Sequence, residues 1–140
     1  MKTFQTSIKI AANREAVWRV LTQEMPQDPT PFGIEKLEGT LRAGAKLRLW
    51  SADDPKRAFT LKVTSFDPPT RMVWSVGMPF GLFTGTRVFK IEPEGSGSVF
   101  EMREDFTGPM SGLISRSIPD LTPSFETFAS ALKERAEIHD

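Results

Sequence analysis

Two charged residues stand where strand alternation turns them inward. Arg87 shares a face with Phe89 and Ile91 in one alternating run. Glu104 shares a face with Phe100, Met102 and Phe106 in the next. Charges on an apolar face are unfavourable unless they are paired. If Ile91 lies opposite Phe100 across the intervening turn, Arg87 falls opposite Glu104, and a slip of one residue would undo this. Such a pair can be an ion pair that closes a core. It can be a polar anchor whose spare N–H donors meet a ligand's carboxylate or carbonyl. Glu104 is also the candidate general acid or base. It has no carboxylate partner on its own face, because Asp105 points the other way. Trp74, on the preceding strand, is expected on the same face, near enough to stack on the Arg87 guanidinium.

The rest of the sequence offers little other chemistry. Cys and Tyr are absent, and the single His is His139, one residue from the last. That excludes a thiol nucleophile, a disulfide, a Ser-His-Asp triad and a multi-histidine metal site. No metal or cofactor is expected. Ser111, Ser115 and Ser117 have no base near them in sequence. Gly77, Gly81, Gly85, Gly95 and Gly97 match no phosphate-binding loop. Lys plus Arg and Asp plus Glu each number 18, so there is no global pull toward nucleic acid. Arg42, Lys46, Arg48, Lys56, Arg57 and Lys62 are interrupted by Asp53 and Asp54 and read as a solvated face.

The elements that must position these residues are short. With 140 residues, 39% of them hydrophobic and 26% charged, residues 1–140 are read as one domain. The start alternates polar and apolar, unlike a signal peptide, and no window is apolar enough to span a membrane. A soluble, cytoplasmic protein is expected. Phe4, Thr6, Ile8 and Ile10 predict a strand over 3–11. Asn13 should cap a helix ending near Gln23. The stretch 25–33 holds three prolines and reads as a rigid loop or a single helical turn. Strands follow over 34–41, 46–51, 58–66, 71–76, 83–92 and 98–107, with a polar turn over 53–56 and a hairpin turn over 93–97. Leu121, Phe125, Phe128, Ala129 and Leu132 predict a helix over 121–136, after a break near Pro119. Phe125, Phe128 and Leu132 should face the sheet. The order predicts an α+β chain with one curved antiparallel sheet.

That order, with certain words in place, resembles the START-like or helix-grip superfamily, also called SRPBCC. The words are Ile8-Lys9-Ile10-Ala11-Ala12 followed by Glu15-Ala16-Val17-Trp18; Gly39 and Gly44; Met72-Val73-Trp74; Gly85-Thr86-Arg87-Val88-Phe89-Lys90-Ile91; Glu104-Asp105-Phe106-Thr107-Gly108; and the closing Ala131-Leu132-Lys133-Glu134-Arg135-Ala136-Glu137. The group includes polyketide cyclase/dehydrase and lipid-transport proteins and Hsp90-activator-like domains. The resemblance implies a curved sheet wrapped around the C-terminal helix, with apolar molecules bound between them. Unlike many members, this chain has neither Tyr nor His in its strand words.

On its own an inward aromatic stripe fills a core; the resemblance implies that some of these rings line a cavity. The ligand-binding set is then Trp74, Arg87, Phe89, Phe100, Met102, Glu104, Phe106, Phe59 and Phe80. The stretches 25–32, 77–82 and 109–118 are expected to form the mouth, with Met78, Phe80 and Phe83 as adaptable apolar contacts. The leading expectation is binding of a small, mostly apolar ligand of lipid, polyketide or aromatic type by a monomer or homodimer, without catalysis. The alternatives are a cyclase- or dehydratase-like enzyme using Glu104, and an Hsp90-activator-like protein-interaction domain with a large exposed apolar patch.

Overall fold

The computed structural model describes residues 2–77 and 79–138. Seven antiparallel strands form one sheet: β1 (Lys2–Ile10), β2 (Ile34–Glu38), β3 (Lys46–Ser51), β4 (Asp54–Asp67), β5 (Arg71–Gly77), β6 (Thr84–Glu94) and β7 (Gly97–Thr107). Their order is β1-β7-β6-β5-β4-β3-β2, so the first strand pairs with the last. Alternation decides the faces. Phe4 and Ile10 of β1 are buried with Phe100, Met102, Glu104 and Phe106 of β7, while Thr3, Gln5, Ser7 and Lys9 lie outside.

α1 (Arg14–Arg19) begins where the Asn13 side chain accepts from the Ala16 N–H at 2.9 Å. It continues as a π-helical turn over Val20–Glu24, closed by the Met25 N–H on the Val20 carbonyl at 2.8 Å. The wider turn keeps Val17, Val20, Leu21 and Met25 all buried. Two short pieces, α2 (Ser111–Ile114) and a 3₁₀ turn (Ser115–Ser117), precede α3 (Thr122–Ile138). At the start of α3 the Thr122 N–H and hydroxyl hold the Asp120 carboxyl below the usual range. At its end Lys133 and the Ala11 N–H do the same for Glu137 and tie α3 to the end of β1. Phe125, Phe128, Ala129, Leu132 and Ala136 are the buried stripe of α3, at the expected helical spacing. This is the α+β helix-grip architecture anticipated above.

Three boundaries differ from expectation. The turn between β3 and β4 is only Ala52-Asp53, because Ser51 pairs with Asp54. Asp54-Pro55-Lys56 therefore opens a strand, and proline is tolerated at a strand's beginning. β2 stops at Glu38, where Gly39 takes a φ of 118° that other residues avoid. β6 runs through Pro93, leaving Gly95-Ser96 as the hairpin turn. The proline-rich stretch forms a single 3₁₀ turn (Thr30–Phe32) and is no open loop. Phe32 is buried against Phe128, with ring centroids 5.3 Å apart, and Asp28 receives Arg135 at 2.8 Å. This stretch therefore clasps α3 and does not form a mouth beside it.

Candidate functional site

One row of side chains crosses the concave face. Val63 pairs with Trp74, Trp74 with Arg87, Arg87 with Glu104, and Glu104 with Phe4. Each pairing is antiparallel, so all five side chains point the same way. Arg87 Nη2 donates to Glu104 Oε1 at 2.8 Å. The arginine side chain is 23% exposed and that of Glu104 only 4%, so the pair sits at the edge of the interior with its acid inside. The Phe125 ring of α3 covers the row, 4.9 Å from the guanidinium carbon.

Trp74 takes a different place from the one expected. It packs edge-on against Phe89 at 4.6 Å, a diagonal neighbour, and Phe125 takes the guanidinium face. The Trp74 indole Nε1 and the Arg87 Nε are both buried, and neither makes a hydrogen bond among the described residues. Two donors on directly paired residues are thus unengaged in an apolar surround. Buried polar groups are normally satisfied, so such a coincidence calls for a partner.

The rows on either side are apolar except at β1, which contributes Thr6 to one and Lys2 to the other. On one side Phe66, Met72, Phe89, Met102 and Thr6 follow in register, and beyond them Ile91, Phe100 and Ile8. Phe89 and Phe100 are fully buried against Phe128, at 5.7 and 6.3 Å. These rings fill the space where a cavity was expected. On the other side lie Val76, Gly85, Phe106 and Lys2. A Cβ on Gly85 would stand 2.9 Å from the Phe106 ring and 3.2 Å from Glu104 Oε2. Gly85 therefore leaves room for the carboxylate. Gly85→Ala is expected to cost about 1–3 kcal/mol through overpacking. Urea denaturation checks this, and an unchanged midpoint would show that the Phe106 ring swings aside freely.

The structure brings Trp74, Arg87, Phe89, Phe100, Met102, Glu104 and Phe106 together. It leaves out Phe59 and Phe80. Phe59 lies further along β4, half-buried, with Arg57 4.9 Å over its ring. Phe80 is 98% exposed on the β5–β6 connection, where its φ of 62° turns it outward. Met78 lies outside the described residues. Phe83 stacks on Phe106 at 5.5 Å and forms the rim of the row. The β5–β6 connection and the segment 108–118 meet there, where the Met110 N–H bonds the Leu82 carbonyl at 2.9 Å. α2 buries none of its residues, and Leu113 is 67% exposed. Sequence reasoning missed Phe125 as the lid on Arg87, and Gly85 as the space beside Glu104. The helical stripe held the first signal; nothing in the glycine pattern held the second.

Residues 1–137 match the family of polyketide cyclase/dehydrase and lipid-transport proteins, and the chain belongs to that family. Among solved structures, a protein from Mesorhizobium loti is similar at a TM-score of 0.75 and 16% identity, covering 99% of both chains. Truncated norcoclaurine synthase from Thalictrum flavum is similar at 0.70 and 18% identity, covering 95% of this chain and 91% of that one. The Aha1 dimer from Colwellia psychrerythraea is similar at 0.72 and 16% identity, covering 99% and 98%. At such identities these likenesses establish the fold. Comparison with curated proteins finds no match. Among the described residues, no helix is long and apolar enough to cross a membrane.

Proposed function

We propose that the protein binds a small, mostly apolar molecule of lipid, polyketide or aromatic type between the sheet and α3. It does so as a single domain, monomeric or homodimeric, in the cytoplasm. The observation that carries this is the pair of buried, unengaged donors on Trp74 and Arg87. Apolar area supplies affinity in such sites, and a few placed polar groups set orientation. The packed rings mean that the site opens to admit its ligand. The segment 108–118 is the natural gate: it meets the β5–β6 connection beside the Phe83–Phe106 pair, and α2 within it buries nothing. Phe80, Leu82 and Leu113 stand exposed around it as an apolar rim. A stable protein interface takes about 20–30 residues a side, so three such side chains suit an entrance better than a chaperone-docking face.

The catalytic alternative asks Glu104 to exchange protons with a substrate. Its Oε1 is held by Arg87 and its Oε2 lies against Gly85. That arrangement supports anchoring over turnover. Native mass spectrometry of the protein as purified from cells tests the proposal. A bound small molecule of apolar composition is the expected result. Protein without adduct, together with no binding of any apolar probe, would overturn it.

A further inference from the structure

We infer that the group received by Trp74 and Arg87 is a neutral carbonyl, as in a ketone, ester, lactone or amide, and not a carboxylate. The inference rests on the reading above, that the interior takes an apolar ligand. It adds the chemical class of that ligand's polar end.

Donor geometry comes first. Guanidinium carries five N–H donors, and indole carries one. Of the guanidinium nitrogens, Nη2 is engaged by Glu104, while Nε is buried and unengaged, as is the indole Nε1. Trp74 and Arg87 are directly paired on β5 and β6, so their Cβ atoms are about 4.5–5.5 Å apart. A carbonyl oxygen has two lone pairs, so one such group entering beside the paired residues offers an acceptor to each donor.

Charge then decides between a carbonyl and a carboxylate. Arg87 carries one positive charge and Glu104 one negative, so the row is neutral without a ligand. Its other members are Val63, Trp74 and Phe4, and Phe125 covers it. The nearby Lys2, opposite Phe106, is balanced by Asp120, whose carboxyl it helps Thr122 to hold below the usual range, and so adds no net charge. Its Nζ lies 5.3 Å over the Phe4 ring and donates to the Ile118 carbonyl. An entering carboxylate would share one guanidinium with Glu104 and leave a net negative charge in apolar surroundings. That is heavily penalised. A carbonyl satisfies the same two donors without adding charge. The Arg87–Glu104 pair is therefore a charge filter as well as an anchor.

Matched pairs of equal chain length test this, from octan-2-one against octanoate up to dodecan-2-one against dodecanoate, at neutral pH where the acids are ionised. Binding is followed in every variant by chemical-shift changes of the backbone amides of β5 and β6, and in the unaltered protein also by the Trp74 indole N–H resonance, identified by its loss in Trp74→Phe. The ketones should bind about tenfold or more tightly than the acids and shift that resonance. Glu104→Gln removes the negative charge and should reverse the preference. Trp74→Phe should weaken ketone binding several-fold and serves as the deciding variant if Glu104→Gln does not fold. Tighter binding of the acids by the unaltered protein, an unchanged preference in folded Glu104→Gln, or full ketone affinity in Trp74→Phe would each overturn the inference while leaving the binding reading intact. Failure of both series at every length would overturn both.

Discussion

Phe128→Ala is expected to cost about 3–5 kcal/mol of stability, the range for truncating a fully buried phenylalanine. Phe128 is 2% exposed and stands at the middle of the grip. Its ring meets Phe32 from the clasping 3₁₀ turn, Phe89 from β6 and Phe100 from β7. It is thus a joint where α3, the sheet and the proline-rich stretch meet. Truncation removes the transfer free energy of the ring and leaves a cavity whose walls come from three elements, which limits its collapse. Urea unfolding at constant m-value measures the loss. A change below about 1 kcal/mol would show that the wall relaxes into the space. The rings around Phe128 would then be mobile enough to part for a ligand without help from the segment 108–118.

The parts of this fold that could be read beforehand are those with a period. Phe4, Ile8 and Ile10 alternate, so the first strand and its inner face were visible. Phe125, Phe128 and Leu132 repeat at helical spacing, so the stripe of α3 was visible too. The Arg87–Glu104 pairing followed from one hairpin with apolar residues on both strands, because a slip would have exposed every one of them. What stayed hidden lacks a period. Met25 and Phe32 sit among prolines, and no pattern announces that both are buried. The Asp54-Pro55-Lys56 run looks like a turn because it is polar, yet it forms exposed strand. The direction of the Trp74 ring and the arrival of Phe125 over Arg87 depend on how α3 packs across the sheet, a long-range fact that local spacing does not encode. The same packing fills the expected cavity with rings. Phe59 shares a face of β4 with Leu61 and Val63, and Phe80 belongs to an expected mouth loop, but their positions further along β4 and on an exposed connection keep them from the row.

Arg87→Met is expected to cost about 2–4 kcal/mol, well above a surface change. The reason lies less in the lost bond than in what remains. Glu104 is 3% exposed and would be left with no cation beside it. Leaving a buried charge alone is the costly half of breaking an ion pair. The partial exposure of Arg87 lets water reach the edge of the site, which places the figure toward the lower part of the range for buried pairs. Methionine keeps most of the side-chain volume under Phe125, so lost packing contributes little. The double variant Arg87→Met with Glu104→Leu should recover much of the loss, because two apolar side chains then occupy an apolar row. A double-mutant cycle in urea separates the coupling from the single effects. Strong coupling, with the double variant more stable than Arg87→Met alone, is the expected result. Additive losses would mean that water already compensates Glu104, and that the pair is no isolated anchor inside the grip. The recovered double variant also separates stability from recognition. It should fold well and yet have lost the guanidinium donor beside Trp74, so its affinity for a carbonyl-bearing probe should fall even as its stability returns.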